Sequence, residues 1–514
     1  MNTSDNQDHT IEFTEKDPLN ENFEKPKPVE KKTVKETLLY IFNNVTVEPT
    51  MFLFVSPALL TILTSQNFGL EKACRVNLNF TTEICDSLRA QNIESQNEFE
   101  RDTQKLFTYF MAWKTYLSSA IPCALALFIG SWSDKTGRRK VFILIPIAGQ
   151  ILVCINGLLN TYFFCELRLE HFVLIEGLLE GFTGGWCISF VAIYSYISAI
   201  TTTETRTFRM GLVNFSFSVA FPVGMSLSGI FLKNYGFYGC YGLSCGLHAA
   251  NFIYNFIYLK DTAKSEDQRQ VDGGGFRKFF REFFDLTNVK ETFKTIFKQG
   301  SNNRRARIII LLIVVAILFG PIHGEIATLY ISTRYRFNWD EVKFSIFQTY
   351  NFVTHTIGTL FSLAVFNKYL GWHDSILGII STVSKILASF LYCFAPNEQI
   401  FFLAPLVEIL SGTSLLALRS ILSKLAAAHE FGKINSLFEF TENLMPLVYV
   451  PLYTKTYAAT MEVLPGAVFL LGASMTLPAL CVFTWFLYEH RRNLEKSAKQ
   501  NNADKITSYQ EKAE

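Results

Sequence analysis

Charge is scarce in this chain. Of its 514 residues 18% are Asp, Glu, Lys or Arg, against roughly 25% in an ordinary soluble domain. The charge present nearly cancels, with a formal net charge of +2, so no nucleic acid is expected as a partner. No G-x-x-x-x-G-K-[ST] loop occurs, which removes ATP-driven transport by this chain. No Cys–His spacing suits a metal, and no nucleophile–base constellation marks an enzyme. No apolar run lies near Met1: residues 1–36 are polar, so the expectation is an uncleaved, cytosolic N-terminus and not a signal peptide. The alternating ten-residue strands of an outer-membrane barrel are also missing.

Apolar residues, by contrast, are plentiful. They make up 49% of the chain, Phe alone supplying 49 residues, and mean hydropathy is +0.21. Many apolar runs reach about 20 residues, enough to cross ~30 Å of hydrocarbon as a helix. Lipid leaves no water to pair the backbone, so such runs must be helical. The hydropathy pattern predicts an all-α membrane protein with twelve spans near 45–68, 105–129, 141–161, 171–198, 210–232, 237–259, 307–331, 342–366, 374–394, 400–425, 433–458 and 465–488. The expected organisation is a cytosolic tail (1–44), six spans (45–259), a cytosolic linker (260–306), six more spans (307–488) and a cytosolic tail (489–514). In the linker Phe276, Phe279, Phe280, Phe283 and Phe284 form one apolar helical stripe, for the membrane interface or for packing beneath the bundle.

Basic residues flank the ends that share a side with the termini: Lys31, Lys32 and Lys35, then Arg206 and Arg209, Arg304, Arg305 and Arg307, and Arg491 and Arg492. That side is therefore assigned to the cytosol. The longest loop of the other face, 69–104, carries Cys74, Cys85 and the acceptor Asn79-Phe80-Thr81. An oxidising compartment favours a Cys74–Cys85 disulfide over two free thiols, and glycosylation of Asn79.

Between spans 2 and 3 stands GSWSDKTGRRK, residues 130–140. It fits G-x-x-x-D-x-x-G-R-R-K, the signature loop of the major facilitator superfamily, and so implies two six-helix halves. Gly137 supplies a turn residue, Arg138, Arg139 and Lys140 hold the loop in the cytosol, and Asp134 is placed to meet a helix N-terminus of the other half as a gating latch.

Further segments resemble the proton-coupled folate transporter family, solute carrier family 46. They are Val47-Glu48-Pro49, Arg206-Thr207-Phe208-Arg209-Met210, Thr328-Leu329-Tyr330, Arg419, and Leu422-Ser423-Lys424-Leu425. The resemblance implies uptake of an organic anion (a folate, a steroid conjugate or a muropeptide) driven by a proton gradient, with no other cofactor. Asn214, Gly320 and Phe182 stand where the folate carrier would have its span-5 glutamate, span-7 histidine and span-4 aspartate, and Asn338 lies near the position of its cysteine before span 8.

Ionisable groups inside spans are functional candidates by default. Glu325 and His323, in span 7 after Gly320-Pro321, are the expected proton-coupling pair. Arg419 is the expected anion contact, alternatively paired with Glu439 or Glu408, and Lys114 is a second cation. Glu176 and Glu180, four apart on span 4, either share a proton or are neutralised by Lys114 or Lys385. Trp186 offers a ring for a planar ligand. A proton-independent carrier and a receptor with little flux are the alternative functions. The plasma membrane is the expected location, the lysosomal membrane the alternative.

Overall fold

The computed structural model describes residues 46–511 apart from 92–96, 137, 202, 262–282, 285–286, 288–289, 291–303, 363–364, 367–368, 371 and 426–430. Every regular element among the described residues is helical. The helices before the linker are α1 (Glu48–Lys72), α2 (Thr82–Arg89), α3 (Asn97–Thr136), α4 (Lys140–Tyr162), α5 (Leu169–Thr183), α6 (Gly185–Ile200) and α7 (Thr203–Tyr258). Those after it are α8 (Arg304–Phe337), α9 (Glu341–Ser362), α10 (Asp374–Phe394), α11 (Glu398–Val407), α12 (Thr413–Leu425), α13 (Phe431–Thr460) and α14 (Ala467–Glu511).

Each expected span falls on a helix, with five departures. Span 4 is two helices, α5 and α6, parted at Gly184 (φ 87°), a left-handed conformation that glycine adopts without a Cβ penalty. Span 10 is also two helices, α11 and α12, parted by the turn 408–412. Spans 5 and 6 form α7, broken only at Gly236 (φ 62°). Helix α3 runs on through Thr136, so the first part of the 130–140 loop is helical, and α14 continues to Glu511 where a tail was expected. Among the described residues seven helical stretches are long and apolar enough to cross a membrane.

Packing explains why others fall short. Helix α3 packs against α13, and α7 against α9, so these are the seams between the two halves. Seam and cavity helices carry polar groups that lipid-facing helices avoid. Within the first half α1 and α4 lie on α7, and α3 on α5; within the second, α8 lies on α13 and α14, and α10 on α14.

The two ends of the bundle differ. At one end a single apolar core joins both halves, with Phe68, Phe107 and Tyr241 packed together with Tyr330, Trp339, Phe347 and Tyr457. At the basic end the halves keep separate cores, one around Phe54, Ile143 and Ile193 and the other around Leu311, Leu418 and Phe483. The bundle is thus sealed at the end opposite the basic residues.

Polar contacts complete that seal. Arg334 Nε donates to Glu100 Oε1 at 2.7 Å and Arg334 Nη2 to the Leu88 carbonyl at 2.7 Å. Gln104 donates to the Ile331 carbonyl and accepts from the Tyr457 hydroxyl at 2.8 Å. Lys105 pairs with Glu462 at 2.8 Å and holds that carboxyl below its usual range. Cys74 and Cys85 are disulfide-bonded, which ties α2 to the end of α1 and so positions the Leu88 carbonyl under Arg334. Removing one partner of a buried ion pair costs about 3–5 kcal/mol. Glu100→Ala is therefore expected to open this end. The check is labelling of Met111→Cys by an impermeant thiol reagent from that side, which should rise relative to the parent protein.

Of the linker stripe, Phe283 is buried against Phe142 and Phe128, beneath the first half. Phe276, Phe279 and Phe280 lie outside the described residues.

Candidate functional site

Two buried clusters, one in each half, each set a single lysine between two glutamates. In the second half Lys385, on α10, reaches Glu325 Oε2 on α8 at 2.6 Å and Glu408 Oε1 at 2.7 Å. Glu408 caps the C-terminus of α11, at the break before α12, with its N–H still bonded to the Ala404 carbonyl. The three side chains are 10 to 13% exposed. Tyr392 and His355 stand beside Glu408.

The cluster is incompletely satisfied. Among the described residues, Glu325 Oε1 and the Tyr453 hydroxyl are both buried without a hydrogen-bond partner. Both face Gly472 on α14: a methyl there would come within 2.6 Å of the carboxylate oxygen and 2.8 Å of the hydroxyl. Buried polar atoms without partners are uncommon and require an explanation. Lone pairs on a buried carboxylate are met by a proton, and two carboxylates around one ammonium carry an uncompensated negative charge until one is protonated. Gly472→Ala should push Glu325 off Lys385 and lower transport at least about tenfold, an effect of the size expected for a misplaced reacting group. Initial uptake rates at matched surface expression check this.

In the first half Lys114, on α3, lies 2.8 Å from Glu176 and 3.9 Å from Glu180, both on α5. Glu176 Oε1 accepts from Ser65 at 3.3 Å, and Ser65 in turn meets the Tyr241 hydroxyl at 3.0 Å. The glycines of α5 explain the contact. A Cβ at Gly181 would run into the Leu117 carbonyl of α3, so only glycine lets α3 approach closely enough for Lys114 to reach both acids.

The other expected site residues are placed elsewhere. His323 does not join Glu325, because residues two apart on a helix face different ways; the carboxylate takes Lys385 as its partner. Arg419 is 43% exposed and pairs with Glu442, neither of the two acids expected for it. Trp186 stacks on Phe190 and meets Phe54 edge-on within the first-half core. Arg209 is locked to Glu48 at 2.7 Å with both side chains buried, which makes the two family segments carrying them one structural tie. Arg139 donates to Ser195 at 3.0 Å, Lys140 to the Phe256 carbonyl, and Arg138 is exposed. Gly137 and the side chain of Asp134 lie outside the described residues, as does the Glu439 side chain. Asn214 accepts from the Tyr194 hydroxyl, Phe182 is exposed, and Asn79 is exposed with φ 50°. Among the described residues no group of three or more His, Cys, Asp or Glu is arranged to hold a metal. The pair Glu100 and Arg334 escaped the sequence reading, because charges at span ends are ordinary.

Residues 107–450 match the model of the Major Facilitator Superfamily. A lysosomal proton-coupled steroid conjugate and bile acid symporter of Gallus gallus is 26% identical over 449 residues, covering 86% of this chain and 93% of that protein. The proton-coupled folate transporter of Rattus norvegicus is 24% identical over 366 residues, covering 69% and 73%. Among solved structures, the human organic anion transporter MFSD10 superposes with a TM-score of 0.57 at 16% identity, covering 85% of this chain and 98% of that one. The inward-open xylose transporter XylE of E. coli superposes with a TM-score of 0.52 at 14% identity, covering 84% and 95%.

Proposed function

The chain belongs to the major facilitator superfamily, and on that premise we propose that it is a proton-coupled symporter of an organic anion, with Lys385, Glu325 and Glu408 as its proton-binding cluster. The observation that carries this reading is the buried, half-satisfied Glu325 carboxylate sharing one ammonium with Glu408. With one acid protonated the cluster is neutral, and Lys385 has an attraction to spare for an anion in the cavity. When the proton leaves, the second carboxylate reclaims Lys385 and the anion is released. Substrate anion and ionised carboxylate compete for one cation, so proton and substrate move together.

Rocking of the two halves then exposes the cluster to each side in turn. The sealed end, with the disulfide and Asn79, is the luminal or extracellular one, and Asn79 carries a glycan there. The basic end, with Asp134, Gly137, Arg138 and Arg139 as its gating loop, is cytosolic. The substrate is a rigid amphipathic anion of the steroid-conjugate kind. The Gallus gallus relative supports this through its coverage of both chains, and Asn214 and Phe182 set the chain apart from the folate carrier. That relative also supports the lysosomal membrane over the plasma membrane, since an acidic lumen supplies the protons.

The test is an uptake panel of steroid sulfates, folate and muropeptides at acidic and neutral outside pH. A steroid sulfate should enter faster at the acidic pH. Equal entry at both values would favour the proton-independent carrier, and entry of none of them would favour a receptor with little flux.

A further inference from the structure

We propose that the Lys114–Glu176–Glu180 cluster is a second proton-binding site, with Glu180 as the proton carrier, so that two protons accompany each substrate anion. This rests on the reading that Lys385 and its acids couple a first proton.

Four observations converge. The first is charge. Lys114 faces two carboxylates at 2.8 and 3.9 Å, so with both acids ionised a net negative charge would sit within a membrane span. Such a charge is costly, and a bound proton removes it. The second is asymmetry. Glu176 holds the short contact to Lys114 and also the hydrogen bond from Ser65, whereas Glu180 has only the long one. The acid with the weaker hold on the cation is the one that takes the proton.

The third is access. The Glu180 side chain is 20% exposed and that of Glu176 is 6%, so Glu180 is the more accessible acid of the two. Glu180 also lies just before the break at Gly184, where α5 gives way to α6. The fourth is a neighbouring donor. Gln150 of α4, 2% exposed, stands beside Glu180, and its amide N–H can donate to the ionised carboxylate once the proton has left. The charged and titratable neighbours of the pair are Lys114 from α3, Tyr241 from α7, reached through Ser65, and Cys154 from α4 beside Glu176. None of the others offers a second cation to replace the proton.

The two clusters are not copies made by an internal repeat. Lys114 lies on the second span of its half and Lys385 on the third of its own. Each half sets one lysine between two acids, next to a broken helix. In many secondary transporters, interrupted spans mark where substrate and coupling ions bind.

The proposal predicts a stoichiometry that can be counted. The full-length protein is reconstituted in liposomes with the membrane potential clamped at zero, and the steady accumulation of estrone sulfate, a monoanion, is measured against an imposed pH difference. Each coupled proton contributes a factor of about ten per pH unit. Wild type should therefore change its accumulation about 100-fold per unit, and Glu180→Gln about tenfold. Glu325→Gln should likewise fall to about tenfold, carried by Glu180. Without the clamp, wild-type uptake should be electrogenic and Glu180→Gln uptake electroneutral.

A wild-type slope of about tenfold would overturn the second site while leaving the first intact, and no slope at all would overturn both. An unchanged 100-fold slope in Glu180→Gln would exclude Glu180 as the carrier. If Glu180→Gln does not fold, the wild-type slope and the residual slope of Glu325→Gln still decide.

Discussion

Replacing Glu325 by Gln should remove one proton from the transport cycle. The amide has the shape of the protonated acid but releases nothing, so the second-half cluster is held permanently in its proton-loaded form. Lys385 then keeps only Glu408 as an ionised partner at 2.7 Å. Accumulation of a steroid sulfate under a one-unit pH difference should drop about tenfold. Exchange of labelled for unlabelled substrate, which needs no net proton movement, should persist. The pair of readings separates a coupling defect from a folding defect, because a misfolded carrier loses both. If Glu325→Gln accumulates substrate as wild type does, the proton lies elsewhere.

Replacing Lys385 by Ala should have the larger effect on stability. It leaves Glu325 and Glu408, both nearly buried, facing each other with their common cation gone. Breaking a buried ion pair from one side costs about 3–5 kcal/mol. The loss should depend on pH in a defined direction. At low pH both acids carry protons and need no cation, so the variant approaches wild type; as pH rises the acids ionise and repel, and the deficit grows. Thermal melting in detergent across about pH 5 to 8, a range bracketing ordinary carboxyl and imidazole titration, should show a larger deficit at the alkaline end. A deficit independent of pH would mean that Lys385 contributes packing and not charge balance.

Much of the architecture was legible because lipid imposes a simple rule. A run of apolar residues must be a helix, so the spans could be read from hydropathy, and each falls on a helix. What hydropathy does not register is a helix that breaks while staying apolar. Span 10 parts at 408–412 between two apolar pieces, and span 4 parts at Gly184 within a glycine-rich run. Only Gly184 carries a trace of its break, since glycine takes a left-handed turn without a Cβ penalty.

The site was half legible. Glu325, Lys385, Glu408, Lys114, Glu176 and Glu180 are all conspicuous as charges within spans. Their partnerships are not, because Lys385 and Glu325 are 60 residues apart and a single chain carries no record of which distant groups meet. For His323 the signal was available and misjudged: proximity in sequence suggested a pair, while a two-residue step on a helix turns the side chains apart. The Glu100–Arg334 seal joins residues 234 apart at span ends, and only the fold reveals it.

The most direct test of coupled proton and anion movement follows protons themselves. Liposomes holding the reconstituted protein are suspended in weakly buffered medium with no pH difference, and estrone sulfate is added outside while external pH is recorded. Entry of the anion should alkalinise the medium as protons follow it inward, and Glu325→Gln should move one proton fewer per substrate. Steroid sulfate entering with no change in external pH would contradict the account.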